Sequence, residues 1–411
     1  MEPTFLTGIH IHKVRHLENI DIPLSAAARK NLILTGKNGS GKTSVLTALI
    51  SHFEYVLSNS YAPMDKCQNS IKYNLKQIEQ ADDTEAGKHK KAEAQKSLKM
   101  WQTDLSRWTD GAVPEYTSLE SLREKYFAGQ FIFARFEDVR NSKVDISSDI
   151  TKVNLRPIYK LSDKPVRQLA KYMASLKATQ AFAKTEGTPK RAQEIENWFQ
   201  RFEAVLRKIY GDDSLKLHFD IETFQFSILM NNREPFDFNT MSAGYAAVFD
   251  VIGDLMMRME SQRSYDLEGI VLIDEIETHL HVELQKQIVP ILTGLFPNIQ
   301  FIMTTHSPFI LNSASNAVIY DLEKHTLVEN GLTNLPYEGI VESYFGVDLL
   351  SQKLREKFEQ YRTLVQKDHL TDEDFAVAAE LELYLDEVPD YLALDFATEY
   401  SRLKLELANR G

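Results

Sequence analysis

Gly36-Lys-Asn-Gly-Ser-Gly-Lys-Thr43 is the stretch that decides the fold. Its spacing is GxxxxGK[ST], and its flanks agree with it. Asn31-Leu-Ile-Leu-Thr35 in front is a short apolar run that predicts a buried strand. From Thr43 to Tyr55 the apolar positions Val45, Leu49 and Phe53 recur at helical spacing. Strand, glycine loop and helix together frame a phosphate-binding unit. Glycines let successive backbone N–H groups converge on phosphates at the positive end of the following helix. The loop residues Gly36, Asn38, Gly39, Ser40, Gly41 and Ser44 then surround a nucleoside triphosphate. Lys42 bridges its β and γ phosphates, and the Thr43 hydroxyl is a ligand for Mg²⁺.

Three further patterns supply what such a loop lacks. Gly269-Ile-Val-Leu-Ile273 must be a fully buried strand, and it ends in Asp274-Glu275. Adjacent residues at a strand end point to different sides, so two acids permit two roles: Asp274 for the Mg²⁺ shell, Glu275 as general base for water. A second buried strand, Gln300-Phe-Ile-Met-Thr304, leads into Thr305-His306-Ser-Pro308, which puts a histidine within reach of a γ-phosphate. A structural histidine is the competing reading. Met241-Ser-Ala-Gly-Tyr245 opens a helix, where Ser242 and Gly244 suit an anion, here the γ-phosphate held by a second subunit.

The remaining chain is organised around these patterns. Ile9, Ile11 and Val14, then Ile20, Ile22 and Leu24, predict an opening strand pair broken at Arg15 to Asn19. Residues 64–108 predict a helical hairpin, with Ile71, Leu75 and Ile78 on one stripe and Leu98, Trp101, Leu105 and Trp108 on the other. Residues 130–136 predict a buried strand. A helix capped by Ser162 and Asp163, with Pro165 in its first turn, precedes another from about Arg191 to Ile209. Leu215 to Phe238 predicts two strands around Asn231-Asn232, and the last 80 residues are helical and amphipathic. The expected division is an ATPase part at 1–62, a mostly helical insertion at 63–212, a second ATPase part at 213–335 and an acidic helical region at 336–411.

In their order along the chain, the glycine loop, the MSAGY turn, the IVLIDEIETHLHVELQ block and the NIQFIMTTHSPFIL block resemble an ABC-type ATPase of the SMC/RecF branch. The similarity is greatest to the ATPases of bacterial anti-phage systems, namely the overcoming-lysogenization-defect group, Septu, retron-associated and PARIS ATPases. The resemblance implies an α/β fold, an ABC-type P-loop ATPase with a mixed β-sheet core and helical additions. It makes Lys42 and Thr43 the Walker A pair, Ser242 and Gly244 the signature, Asp274 and Glu275 the Walker B pair and His306 the switch histidine. Arg15, in Lys13-Val-Arg-His16, resembles an arginine that touches nucleotide in that branch. Ala243 stands where transporters carry glycine, a change the resembling families tolerate, and Arg135 is the candidate for the Q-loop position. Glu277, His279 and His281 have the letters of a metal site, but in these families the block is the dimer-contacting loop and a helix start. The cofactors implied are ATP and Mg²⁺. The partners implied are further copies of the chain, in dimeric sandwich units or a larger ring, and a separate effector protein, a nuclease. The function implied is a sensor or scaffold subunit that holds this effector; the alternative is a repair or chromosome-maintenance ATPase acting directly on DNA.

Composition bounds these readings. The chain has 411 residues, 43% hydrophobic and 26% charged, as in a soluble globular protein. One cysteine, Cys67, excludes an internal disulfide and fits the cytoplasm. No signal-peptide pattern opens the chain, and no apolar run is long enough for a membrane span. The net charge of −12 hides an asymmetry. Residues 370–411 hold 11 acidic residues against 3 basic ones, a net of −8, whereas 151–210 hold 13 basic against 5 acidic, a net of +8. Lys160, Lys164, Arg167 and Lys171 have the spacing of one helix face, open to solvent, to nucleic-acid phosphates or to an acidic partner such as a phage protein. Asp372-Glu-Asp374 has the letters of a nuclease motif but reads as the charged first turn of a helix capped by Thr371, leaving an ATPase without a nuclease of its own.

Overall fold

The structure, a computed structural model, describes residues 2–140, 143–146, 149–333, 339–340, 352–367, 369–386 and 394–408. It divides into two compact units, Met1–Asn334 and Leu335–Gly411. The boundary expected between 335 and 336 lies outside the described residues.

A six-stranded sheet organises the first unit. Its strands are β3 (Asn31–Thr35), β5 (Phe131–Phe136), β8 (Glu268–Ile273), β9 (Ile299–Thr304), β10 (Ala317–Asp321) and β11 (Thr326–Val328), in the order β11-β10-β3-β9-β8-β5. All pairs are parallel except β10–β11. Both faces of a parallel sheet are covered, which is why β3, β8 and β9 are uninterrupted apolar runs. Leu32, Leu34, Ile270, Leu272 and Ile302 enter a core with helix α1 (Lys42–Val56). Their strand neighbours Ile33, Val271, Phe301 and Met303 alternate to the other face and are fully buried there.

A second sheet closes over α1. Strands β1 (Leu6–Val14) and β2 (Leu17–Pro23) form the expected antiparallel pair, and β4 (Gly111–Tyr116) adds to the free edge of β1. Pro114 is tolerated because β4 is an edge strand. Gln300 ties the two sheets together: its amide accepts from Leu6 N–H (2.7 Å) and donates to the carbonyls of Leu6 (3.1 Å) and Lys30 (2.7 Å).

Helices α2 (Met64–Glu79) and α3 (Glu85–Thr109) form the predicted hairpin, with Thr84 capping α3 through Gly87 N–H. The α2 stripe is only partly buried, since Leu75 is exposed. The hairpin is anchored at its base, where Trp108 donates to the Ala62 carbonyl (3.0 Å) and His52 of α1 meets the Arg107 carbonyl (3.2 Å). Within the 63–212 segment, β4, α4 (Leu119–Phe127) and β5 belong to the sheets and their core, so the helical additions are α2–α3 and the pair α5 (Leu169–Thr185) and α6 (Pro189–Tyr210).

Two local expectations are corrected. Lys160, Lys164, Arg167 and Lys171 do not share a helix face. Pro165 starts a 3-10 turn, Pro165–Gln168, and α5 begins only at Leu169. Lys164 is turned inward, donating to the Arg135 carbonyl (3.1 Å) with its ammonium 4.2 Å from the centre of the Phe136 ring, and burial lowers its pKa. Asp163 caps no helix; its carboxylate accepts from Lys160 N–H. The second correction concerns β6 (Lys216–Phe219) and β7 (Phe226–Leu229), which turn at residues 220–225. Asn231-Asn232 instead makes the next bend, with Asn232 at φ 60° and a bridge between Ile228 and Phe236.

Helices α7 (Ala243–Glu260), α8 (Val282–Leu295) and α9 (Pro308–Ser313) complete the first unit. The second unit contains α10 (Gln352–Val365), α11 (Asp372–Leu385) and α12 (Leu394–Ala408) around Phe358, Tyr361, Leu381 and Leu403. Thr371 and Asp374 form a reciprocal capping box at the start of α11.

Replacing Gln300 with Leu strands the Leu6 and Lys30 backbone groups, and should lower unfolding free energy by about 2–4 kcal/mol, read as a lower denaturant midpoint. His52 is buried, and burial lowers its pKa to about 4 against an ordinary 6.5. The unfolded chain therefore takes up a proton first, and its contribution to stability is lost as pH falls from 6.5 towards 4. It amounts to about 3 kcal/mol at the acid end. The stability-versus-pH curve of His52→Gln should be flatter than the wild-type curve by that amount across this window.

Candidate nucleotide site

The site lies where β3, β9 and β8 end side by side. Beyond β3 the chain turns through Gly36 (φ 131°), Gly39 (φ 85°) and Gly41 (φ 100°), conformations open to glycine. A side chain at Gly36 would also meet Ser40 Oγ at 2.8 Å. Lys42, the first residue of α1, folds back over the loop and donates to the carbonyls of Gly36 (2.9 Å) and Lys37 (3.1 Å). Its pKa is lowered by burial, against the opposing pull of Glu275, Glu277 and Asp274. Asn38 and Gly39 are exposed at the loop's tip, and Ser44 is half-buried in the first turn of α1.

Across the loop stands the end of β8. Thr43 Oγ1 donates to Asp274 Oδ1 (3.3 Å), joining residues 231 positions apart. Thr304, ending β9, donates from Oγ1 to the same Asp274 oxygen (2.5 Å) and accepts there from Glu275 N–H (2.7 Å). Glu275 sits at φ 44°, and its carboxylate accepts from Thr278 Oγ1 (3.2 Å). His306 follows within two residues of β9. Its pKa is lowered first by burial and then by Lys42, against the pull of Glu277 and Glu275 and a hydrogen bond to the backbone of Gly36. The ring is therefore neutral at pH 7, beside Lys42 and the phosphate loop.

Glu277 has a different use from that of a metal ligand. It accepts from Thr305 Oγ1 (2.7 Å) and from His306 N–H (2.5 Å), and so orients the histidine segment. Among the described residues no group of three His, Cys, Asp or Glu side chains could hold a metal ion. Ser307 continues the framework by donating to Gln285 Oε1 (2.6 Å).

The other expected residues are placed as follows. Arg15 is exposed in the β1–β2 turn at φ 55°. The adjoining His16 and Leu17 lie next to Gly41 of the loop. Ser242 is exposed at the N-terminus of α7, and its hydroxyl caps nothing in that helix. Gly244 packs on the His279 carbonyl, which a Cβ there would approach to 2.9 Å. Arg135 lies in β5 and pairs with Glu137 (3.6 Å). The arginine that reaches the acid pair's backbone is Arg140, which no periodicity or motif marks. Its guanidinium donates to the carbonyls of Asp274, Glu275, Ile276 and Thr278.

These residues suit ATP and Mg²⁺. Thr43 and Asp274 bring two hard oxygens together, as a small divalent cation requires. The buried Ser40 hydroxyl, inside the glycine loop, has no hydrogen-bond partner. A parallel sheet with a phosphate loop after one strand and an acid pair after another defines a P-loop ATPase.

Residues 32–312, well over half the chain, match the family described as AAA domain, putative AbiEii toxin, Type IV TA system, and the chain belongs to that family. The Septu protein PtuA of Bacillus mycoides is 37% identical over 134 residues, 30% of this chain and 19% of that protein. The Retron Ec83 probable ATPase of Escherichia coli is 28% identical over 216 residues, 46% of this chain and 40% of that protein. The match thus spans less than half the length of either relative. Among solved structures, an SMC head bound to the C-terminal winged-helix domain of ScpA is 11% identical with a TM-score of 0.40, covering 80% of this chain and 98% of that one. The SMC head domain from Thermotoga maritima, also 11% identical, has a TM-score of 0.36 and covers 77% and 94%.

Thr304→Val keeps the shape of the site but strands the Glu275 N–H and removes one donor from Asp274. ATP turnover should fall by about tenfold or more, equivalent to at least ~1.4 kcal/mol. ATP affinity should stay near the wild-type value in a fluorescent-nucleotide titration. An unchanged turnover number would show that Thr304 does not organise the acid pair.

Proposed function

We propose that the chain is the ATP-binding and ATP-hydrolysing subunit of an anti-phage defence complex, acting as a sensor or scaffold for a separate effector nuclease. The observation that carries the catalytic part is the hydrogen bond from Thr43 to Asp274, which brings the phosphate loop and the acid pair into one site. The defence role is supported by the relatives, which are named for Septu and retron systems. Among the described residues no helix is long and apolar enough to cross a membrane.

In this reading the loop N–H groups and Lys42 hold the phosphates. Thr43 and Asp274 would hold Mg²⁺, which would supply charge neutralisation for the phosphates. Glu275 accepts the proton of the attacking water, and its location near Lys42 and His306 suits that task. His306, neutral at its lowered pKa, donates or accepts one hydrogen bond at the γ-phosphate. Arg15 reaches the nucleotide from the β1–β2 turn. Ser242 and Gly244, at an exposed helix N-terminus, meet the γ-phosphate held by a second copy, so that ATP is sandwiched in a homodimeric unit, alone or within a larger ring. The ATPase body comprises 1–62 and 213–335 with β4, α4 and β5, while α2–α3 and α5–α6 serve as arms and the acidic region after 335 as a docking element.

Glu275→Gln should bind ATP without hydrolysing it and accumulate as a dimeric unit, whereas Lys42→Ala should lose nucleotide binding. Size-exclusion chromatography with light scattering decides between them: a Glu275→Gln chain that stays monomeric in ATP rules out the sandwich. The alternative, a maintenance ATPase acting on DNA itself, draws on the +8 charge of residues 151–210. It requires duplex DNA to stimulate hydrolysis with no effector present.

A further inference from the structure

The loop that carries Glu275 has an internal support outside the Walker motifs. Four of its carbonyls, those of Asp274, Glu275, Ile276 and Thr278, converge on one side chain. Arg140 Nη1 donates to Asp274 O (3.2 Å), and Nη2 to Glu275 O (2.9 Å), Ile276 O (3.0 Å) and Thr278 O (3.3 Å). Arg140 is only 4% exposed and lines a small cavity together with Ala247, Val248 and Val251 of α7 and Ile276 and Leu280 of the loop. Carbonyls that point together into a buried space need donors. The Glu275 carbonyl also accepts from Thr278 N–H (2.9 Å), whereas neither helix nor sheet supplies a donor to those of Asp274, Ile276 and Thr278. The flat guanidinium presents its donors in a fixed fork that a lysine ammonium cannot reproduce. The loop it grips is bent against its own preference, with Glu275 at φ 44° and His279 at φ 68°.

We infer that Arg140 is a positioning residue for ATP hydrolysis: by holding the carbonyls of Asp274, Glu275, Ile276 and Thr278 it fixes the backbone of Glu275, and with it the direction in which that carboxylate faces Lys42 and the phosphate loop. It touches no substrate, and its effect is on turnover, not on binding. The inference rests on the reading of Glu275 as general base.

The test compares Arg140→Ala, Arg140→Lys, Glu275→Gln and the Arg140→Ala/Glu275→Gln double variant in the full-length chain, measuring fluorescent-ATP affinity, KM, kcat and melting temperature. Arg140→Ala is expected to keep ATP affinity and KM within about threefold of wild type while kcat falls at least thirtyfold. Arg140→Lys should fall less, and the double variant should be no slower than Glu275→Gln alone. A kcat within threefold of wild type in a folded Arg140→Ala chain overturns the inference. So does a parallel loss of affinity and turnover, which would mark a purely structural role. If Arg140→Ala does not fold, Arg140→Lys decides, since it keeps the buried charge but not the fork: a kcat loss of more than about threefold at unchanged ATP affinity supports the inference, and a smaller loss overturns it. If Glu275→Gln hydrolyses ATP normally, the assignment of the base fails, while the kcat of the Arg140 variants still decides whether the clamp serves turnover.

Discussion

One carboxylate oxygen joins the two halves of the nucleotide site. Asp274 Oδ1 accepts from Thr43, at the start of α1, and from Thr304, at the end of β9. That is possible only because the sheet order β3-β9-β8 sets three strand ends side by side and pointing the same way. In a parallel sheet all the carboxyl ends lie on one edge, and ligands bind in the crevice there. Thr304 belongs to the middle strand, so it can reach both neighbours: its hydroxyl bonds the carboxylate of one acid and the N–H of the next. Its backbone carbonyl accepts from Ile276 N–H as well (3.1 Å).

The sheet in turn depends on burial. Every residue of β3 and β9 is buried, so both strands must be covered on both faces. Several polar residues of this core satisfy backbone groups. Gln300 satisfies backbone groups at the junction of the two sheets, and Asn31 accepts from Phe301 N–H (2.9 Å). Arg258 of α7 pairs with the fully buried Asp254 (2.6 Å) and donates to the carbonyls of Phe133, Lys160 and Asp163. The last set pins the irregular segment after β5 against α7, which removed Lys160 and Asp163 from the helix that their spacing suggested.

How legible each part was in the sequence follows from the kind of signal it carries. The glycine loop, the acid pair and the histidine stand at the ends of continuous apolar runs, so pattern and motif coincide at Lys42, Thr43, Asp274, Glu275 and His306. The β1–β2 pair was legible by alternation. Strand β4 was not, because Gly111 and Pro114 break the pattern and the strand exists by pairing to β1. The 160–171 face failed for a local reason: spacing of four, three and four is helical only if the backbone is, and Pro165 with the 3-10 turn delays the helix to Leu169. Arg140 was illegible in principle, because its role is to satisfy carbonyls, and backbone carbonyls leave no trace in sequence.

The loop from Asp274 to Leu280 is gripped at two points, and these coincide with its two left-handed residues. Arg140 holds the Glu275 carbonyl from within. Gly244, in the first turn of α7, lies on the His279 carbonyl so closely that a Cβ would sit 2.9 Å from it. A glycine is therefore required at 244 for contact within the chain as well as for any anion at the helix N-terminus. A bulkier residue there must displace the His279 carbonyl, and a loop this short has few free dihedrals in which to absorb the shift before it reaches Glu275. The exposed turn at Ser242 and the carboxylate-bearing residue Glu275 thus share a backbone support, and packing alone makes the geometry of one depend on that of the other.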